Sequence, residues 1–263
     1  VFAFPWEGVT VIGTTDLDHQ QSMKKDASIT QEEVNYLIDA VNQQFPGSHI
    51  DERDVIASYS GVRPVVGTGS LNPSSEKREH SIWDDQGLIS VAGGKLTTFR
   101  LIALDVLKAA KEYLPNHSID SRDVAIFKSS IPLESGGRNE FGLTSQQLRR
   151  LKGRYGDFAE DIAKSALEGE LSTIESTETL YAELRWAMEN ETVVHLDDLL
   201  LRRTRLGLLL NNGGEAIFDS IKPLCQSILN WSDERWSAEI SDYSRLIQRC
   251  YGLPKRYNSA EAS

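Results

Sequence analysis

Cysteine is scarce, and the two present, Cys225 and Cys250, do not form a motif. Each falls in its own late helical pattern, which reads as a reduced, buried thiol in a cytoplasmic setting rather than part of a disulfide framework. Positive charge is also short. Lys and Arg number 28 against 39 Asp and Glu, a net charge of -11. Nucleic-acid binders carry a basic face, so that class is excluded, and no basic patch favours an anionic membrane surface. No apolar run comes near the roughly 20 residues that cross a bilayer. The five histidines, His19, His49, His80, His117 and His195, are scattered without metal-ligand spacing. There is no serine nucleophile elbow and no Walker or Rossmann glycine motif. The chain opens Val1-Phe2-Ala3-Phe4-Pro5-Trp6 with neither initiator methionine nor basic leader. That opening reads as the middle of a strand and points to a piece of a longer protein.

What is present divides near residue 121. The first part alternates short strands and turns. Val1–Phe4 and Val9–Thr14 flank Pro5-Trp6-Glu7-Gly8, a hairpin pattern. Thr30 with Glu33 forms a capping box ahead of Val34, Leu37, Ile38, Val41 and Phe45 at helical spacing. Val55–Tyr59 reads as a strand that runs into Gly61-Val62-Arg63-Pro64, and Gly67 to Lys77 as a polar loop. Arg78–Trp83 and Leu88–Ala92 flank Asp84-Asp85-Gln86-Gly87 as a second hairpin, and a helix follows from Leu96. Beyond a connector holding one short strand, Val124–Phe127, almost everything reads helical. Thr144 with Gln147 and Ser232 mark two of the helix starts.

The stretch Ser90-Val91-Ala92-Gly93-Gly94-Lys95-Leu96-Thr97-Thr98-Phe99-Arg100 holds the chemistry worth weighing. Two glycines between a strand and a helix let backbone pass close to something, or turn with no room for a Cβ. The helix start offers unpaired N–H groups and partial positive charge, and Lys95 adds a full charge there. Such a place suits a phosphate or a delocalised anion. A lone Gly-Gly is equally at home in a plain tight turn with an exposed lysine, and taken alone that is the better reading.

Two arginines shift the balance. Arg63 precedes Pro64, which restricts it to extended backbone and presents its planar fork rigidly toward phosphate or carboxylate. Arg78 opens the second hairpin, at the same end as Gly93. Either alone is more often a surface or salt-bridge residue. Together with Lys95 they place three cations at matching strand ends in an acidic chain. His80, two residues from Arg78 on the same strand face, is the one histidine near that place, though a half-buried strand residue is its commoner role. Gly13-Thr14-Thr15-Asp16 also ends a strand, most simply as a turn. The basic clusters Arg149-Arg150, Lys152, Arg154 and Arg202-Arg203-Thr204-Arg205 read as solvated faces paired with nearby acids. The sharper reading is contact with an anionic partner or with the first domain.

The ordered set GTTD, YSGVRPVV, KREHSIWDDQGLISVAGGKLTTFR and LDDLLLRRTRLGLLL resembles the C-terminal portion of FAD-dependent glycerol-3-phosphate dehydrogenases of the aerobic type, over nearly the whole chain. The resemblance implies an α+β fold of the glycine-oxidase-like flavoproteins. In it, residues 1–121 form part of the FAD and substrate domain with an antiparallel substrate-binding sheet, and 122–263 a C-terminal all-helical domain. It implies that Gly93, Gly94, Lys95, Leu96 and Thr97 face the pyrimidine end of FAD. Lys95 would stabilise negative charge at N1 and O2 of the reduced ring. Arg63 and Arg78 match arginines that hold the substrate, so that Arg63, Arg78 and Lys95 form the catalytic set. It further implies oxidation of sn-glycerol 3-phosphate to dihydroxyacetone phosphate, with hydride passing to flavin N5 and electrons leaving to quinone or another acceptor. Peripheral contact with the inner face of the cell membrane and a homodimer are compatible with it. Lys77 departs from the small hydroxyl residue expected before Arg78, and Leu96 and Phe99 replace commoner aromatics. The Rossmann segment that holds the ADP half of FAD is missing, so these residues alone are expected to retain little FAD and to be inactive. A non-catalytic phosphate- or protein-binding module, and a related amine or hydroxy-acid flavin oxidase, are the alternatives.

Overall fold

The structure, a computed structural model, describes residues 1–19, 22–63, 79–114 and 141–254. The Val124–Phe127 strand, the polar loop from Gly67 and the boundary near 121 lie outside the described residues. Two compact units share the chain. One takes Val1–Thr15, Ser22–Gly61 and the helical part; the other takes residues 16–19, 62–63 and 79–114.

In the first unit, β1 (Phe2–Trp6) and β2 (Val9–Gly13) pair antiparallel, Phe2 opposite Gly13 and Trp6 opposite Val9. The turn is tighter than the four residues expected. Glu7 and Gly8 alone make it, both with positive φ (50° and 88°), the geometry that matches the twist of a two-residue hairpin. Pro5 therefore lies inside β1, where its missing N–H is tolerated because, among the described residues, β1 pairs with β2 alone. α1 (Gln31–Gln44) starts at the Thr30–Glu33 capping box and buries Val34 and Val41. Val55–Tyr59 is not a strand: it has no ladder, and it is tied down by Ser58, whose N–H donates to the Tyr251 carbonyl at 2.7 Å and whose hydroxyl donates to the Gly252 carbonyl at 3.1 Å, with Val55 N–H on the Glu52 carbonyl at 3.3 Å.

The helical part of this unit holds most of the core. It comprises α3 (Ser145–Tyr155), α4 (Ala159–Ser165), α5 (Tyr181–Asn190), the short α6 (Leu206–Leu209), α7 (Phe218–Leu229) and α8 (Asp233–Leu246). α3 carries the Thr144–Gln147 capping box, and the Ser232 hydroxyl accepts from the Arg235 N–H at the start of α8. Leu184, Leu196, Leu199, Leu206, Ile221 and Trp236 belong to one buried cluster. Leu151, Ala159, Ile162 and Leu180 belong to a second. Two stretches expected to be plain α-helix, Asp198–Arg203 and Ile247–Tyr251, are wider π turns. Cys225 and Cys250 are free and buried, and burial pushes the Cys225 thiol up to about 12.

The basic clusters are not uniformly solvated. The Arg150 guanidinium donates to Glu183 at 2.6 Å, to Glu7 at 2.9 Å and to the Thr179 hydroxyl at 3.0 Å. Glu183 also accepts from the Tyr155 hydroxyl (2.9 Å) and the Leu180 N–H (2.8 Å). Arg205 lies over the Trp6 ring at 5.9 Å. The tip of the first hairpin is thus tied to the helical part by Glu7 and Trp6, so for Arg150 and Arg205 contact with the first part of the chain, rather than a solvated face, is what the fold uses.

In the second unit, β3 (His80–Asp85) and β4 (Leu88–Gly93) form a hairpin with a two-residue turn, Gln86-Gly87, again with both φ positive (53° and 93°). A 3₁₀ turn, Leu96–Thr98, leads into α2 (Phe99–Ala109), which lies on this hairpin. α2 buries none of its residues fully.

Candidate functional site

The second hairpin and α2 build the Gly93-Gly94-Lys95 turn. Gly93 and Gly94 sit at φ 80° and 87°, a backbone that L side chains rarely adopt. A Cβ on Gly94 would also lie 2.5 Å from Ile102 Cδ1 and 3.4 Å from His80 Cβ. Glycine is thus required there for its conformation, and a side chain would in addition make the end of Ile102 move. Lys95 follows in extended conformation and its carbonyl closes the first turn, accepting the Thr98 N–H and the Thr98 hydroxyl, both at 2.9 Å. That bond is the first in the helix, so the N–H groups of Leu96 and Thr97 have no carbonyl within the turn to pair with. The Lys95 ammonium has no carboxylate partner among the described residues. Leu96 is 89% exposed, an apolar side chain at the lip of a polar turn. A planar anionic ring fits such a place: free backbone donors at a helix start, a lysine at its N-cap and an exposed apolar side chain to lie against.

Arg63 stands at the end of the extended segment, where its Nη1 donates to Asp16 Oδ2 at 3.2 Å, both side chains about half exposed (50% and 49%). Its other guanidinium nitrogens have no partner among the described residues, so a fork edge stays open for an anion. Arg78 lies outside the described residues. The expected grouping of Arg63, Arg78 and Lys95 therefore rests on the sequence.

Two partners were missed in the sequence. Asp16, taken as part of a Thr/Asp turn, is what holds Arg63. Asp105 of α2 lies 3.2 Å from His80 Nε2 and accepts from Lys108 at 2.9 Å. An acid inside the otherwise apolar run Leu101-Ile102-Ala103-Leu104-Asp105-Val106 was the available signal for the second.

Comparison with known proteins adds the class. Residues 1–124 match the FAD dependent oxidoreductase family model, and residues 128–236 match the C-terminal domain of alpha-glycerophosphate oxidase. The fold is that of an FAD-dependent oxidoreductase followed by this helical domain. More particularly, the chain is similar to aerobic glycerol-3-phosphate dehydrogenases. It is 28% identical to that of Staphylococcus aureus (strain bovine RF122 / ET3-1), over 100% of this chain and 49% of the relative. It is 31% identical to that of Staphylococcus haemolyticus (strain JCSC1435), over 89% of this chain and 45% of the relative. Glycerol-3-phosphate dehydrogenase from Bacillus halodurans, solved in complex with FAD, superposes with a TM-score of 0.69 at 24% identity, covering 94% of this chain and 50% of that one. That likeness shows the fold. The chain spans about half the length of the curated relatives it matches. Among the described residues, no helix is long and apolar enough to cross a membrane.

Proposed function

We propose that these residues are the substrate-side part of an FAD-dependent glycerol-3-phosphate dehydrogenase, residues 1–121 belonging to its FAD and substrate domain and 122–263 to its helical domain. The observation that carries the reading is the Gly93-Gly94-Lys95 turn, with the free N–H groups of a helix start and a lysine that has no carboxylate partner among the described residues, in a chain whose residues 1–124 and 128–236 match these family models. Gly93, Gly94, Lys95, Leu96 and Thr97 would hold the ring end of FAD, which would supply a hydride acceptor for the C2 carbon of sn-glycerol 3-phosphate. Lys95 and the N–H groups of Leu96 and Thr97 favour negative charge on the ring edge they face. Arg63, oriented by Asp16, offers its open fork to the substrate phosphate, and Arg78 binds nearer the reacting carbon. The product is dihydroxyacetone phosphate, and the electrons leave to quinone or another acceptor. The stretch 1–263 by itself holds FAD weakly, because it has no G-x-G-x-x-G segment to take the pyrophosphate.

Steady-state kinetics of the protein carrying the relatives' full length tests the reading. A charge-assisted hydrogen bond is worth roughly 1.5–3 kcal/mol, so Arg63→Ala should raise KM for glycerol 3-phosphate about tenfold to a hundredfold. Arg63→Lys should recover only part, since it keeps the charge and loses the fork. Glycerol, which has no phosphate, should be turned over alike by both variants. An Arg63→Ala enzyme that loses the same factor on both substrates refutes a phosphate role.

A further inference from the structure

His80, Gly94, Ile102 and Asp105 meet behind the Gly93-Gly94-Lys95 turn. His80 pairs in register with Gly93 across the hairpin, and its Cβ bounds the space behind Gly94 together with Ile102. Ile102 and Asp105 are three residues apart on α2 and so share a face. The His80 Nε2–H donates to Asp105 Oδ2 at 3.2 Å, while the other carboxylate oxygen takes Lys108 Nζ at 2.9 Å. Lys108 first, and His80 after it, hold the Asp105 carboxyl below the usual range, so it remains a charged acceptor. α2 buries no residue fully, so the polar ties to the hairpin act beside a partly exposed apolar contact through Ile102. A second tie, Tyr113 hydroxyl to Asp84 at 2.7 Å, lies at the far end of the hairpin. The His80–Asp105 tie lies beside the turn.

We propose that His80 is a positioning residue that, through Asp105, holds α2 on the hairpin so that Lys95 and the N–H groups of Leu96 and Thr97 keep one direction toward the flavin. His80 itself touches no ring atom in this scheme; it acts through the turn. The inference rests on the flavin role given above to the turn.

Two measurements test it. The first uses this chain without cofactor: hydrogen exchange of the amides around Thr98, whose N–H bonds the Lys95 carbonyl. His80→Leu should speed their exchange about tenfold, the scale of one hydrogen bond to a charged group, and leave α7 and α8 unchanged. His80→Gln, whose amide can donate to Asp105, should stay near the parent, and Asp105→Asn should resemble His80→Leu. The second is the flavin midpoint potential of the full-length protein. Lys95→Met should lower it, His80→Leu should lower it by less, and His80→Gln should restore it. If Lys95→Met lowers the potential while His80→Leu changes neither potential nor exchange, the positioning role is wrong and the flavin reading survives. If His80→Gln fails to rescue, the contact with Asp105 is not what matters and the proposal is overturned. If Lys95→Met leaves the potential unchanged, the flavin reading falls and this inference with it.

Discussion

Arg150 of α3 and Glu183 of α5 are joined across 2.6 Å, and Glu183 has no side-chain exposure at all. A charge in that position is tolerable only while paired, because bringing an ion out of water costs several kcal/mol. Arg150→Met should therefore destabilise the chain by up to roughly 3–5 kcal/mol, since it removes the nearer cation and leaves the buried Glu183 charge with Arg154 at 4.0 Å. The double variant Arg150→Met with Glu183→Leu should be less damaged than Arg150→Met alone. Urea midpoints of the four proteins give the coupling directly; additive losses would show that the two residues do not act as a pair.

Glu170 makes the acid side of the stability profile testable. The Arg185 guanidinium, bonded at 2.6 Å, holds the Glu170 carboxyl below its ordinary value of 4.5, and the Leu167 N–H lowers it further. A carboxyl depressed in the folded state stabilises the fold above its unfolded value and loses that contribution as pH falls through the folded one. The pair's contribution should thus be complete above about pH 5 and fade as pH falls below 4.5. Glu170→Gln should be less stable than the parent at pH 7, with the gap closing on acidification. Thermal melts of both proteins across that range check the sign; a gap that widens in acid contradicts it.

Tyr243 of α8 donates its hydroxyl to the Gly213 carbonyl at 2.6 Å, inside the core. Gly213 belongs to a left-handed bend, Asn212-Gly213-Gly214, that turns the chain into α7. Tyr243→Phe leaves that carbonyl buried without its donor and should cost about 1–3 kcal/mol in chemical unfolding. A variant as stable as the parent would mean that water reaches the bend.

Gly94→Ala probes the turn on its own. The alanine must hold φ near 87° with its Cβ against Ile102 and His80. The left-handed backbone costs about 1–2 kcal/mol, and Ile102→Ala in the same chain should relieve the steric part and leave the backbone part. Full-length Gly94→Ala should also retain less flavin after gel filtration. Unchanged flavin content would separate the turn from the cofactor.

What the sequence revealed was short in range. The Thr30–Glu33 and Thr144–Gln147 capping boxes are written in four residues each, and both form as read. The glycines of the Gly93-Gly94 turn signalled an unusual backbone, and their φ values bear that out. Features set by distant partners stayed hidden. Val55–Tyr59 has the apolar character of a strand, but Ser58 bonds the Tyr251 and Gly252 carbonyls, far along the chain. Arg150 lies in a basic run that looked solvated, because nothing local shows that Glu7 and Glu183 come to meet it. The π turns at Asp198–Arg203 and Ile247–Tyr251 keep helical composition, so a periodicity near 3.6 passes over them. Asp16 and Arg63 stand in separate motifs, and only the fold makes them one device.

The most direct test of the account is anaerobic reduction of the flavin in the full-length protein, followed by absorbance. sn-Glycerol 3-phosphate should bleach the flavin in proportion to the amount added, glycerol should do so only at much higher concentration, and Arg63→Ala should need about tenfold to a hundredfold more glycerol 3-phosphate for the same effect. A flavin that stays oxidised with glycerol 3-phosphate, or that glycerol bleaches equally well, contradicts the account.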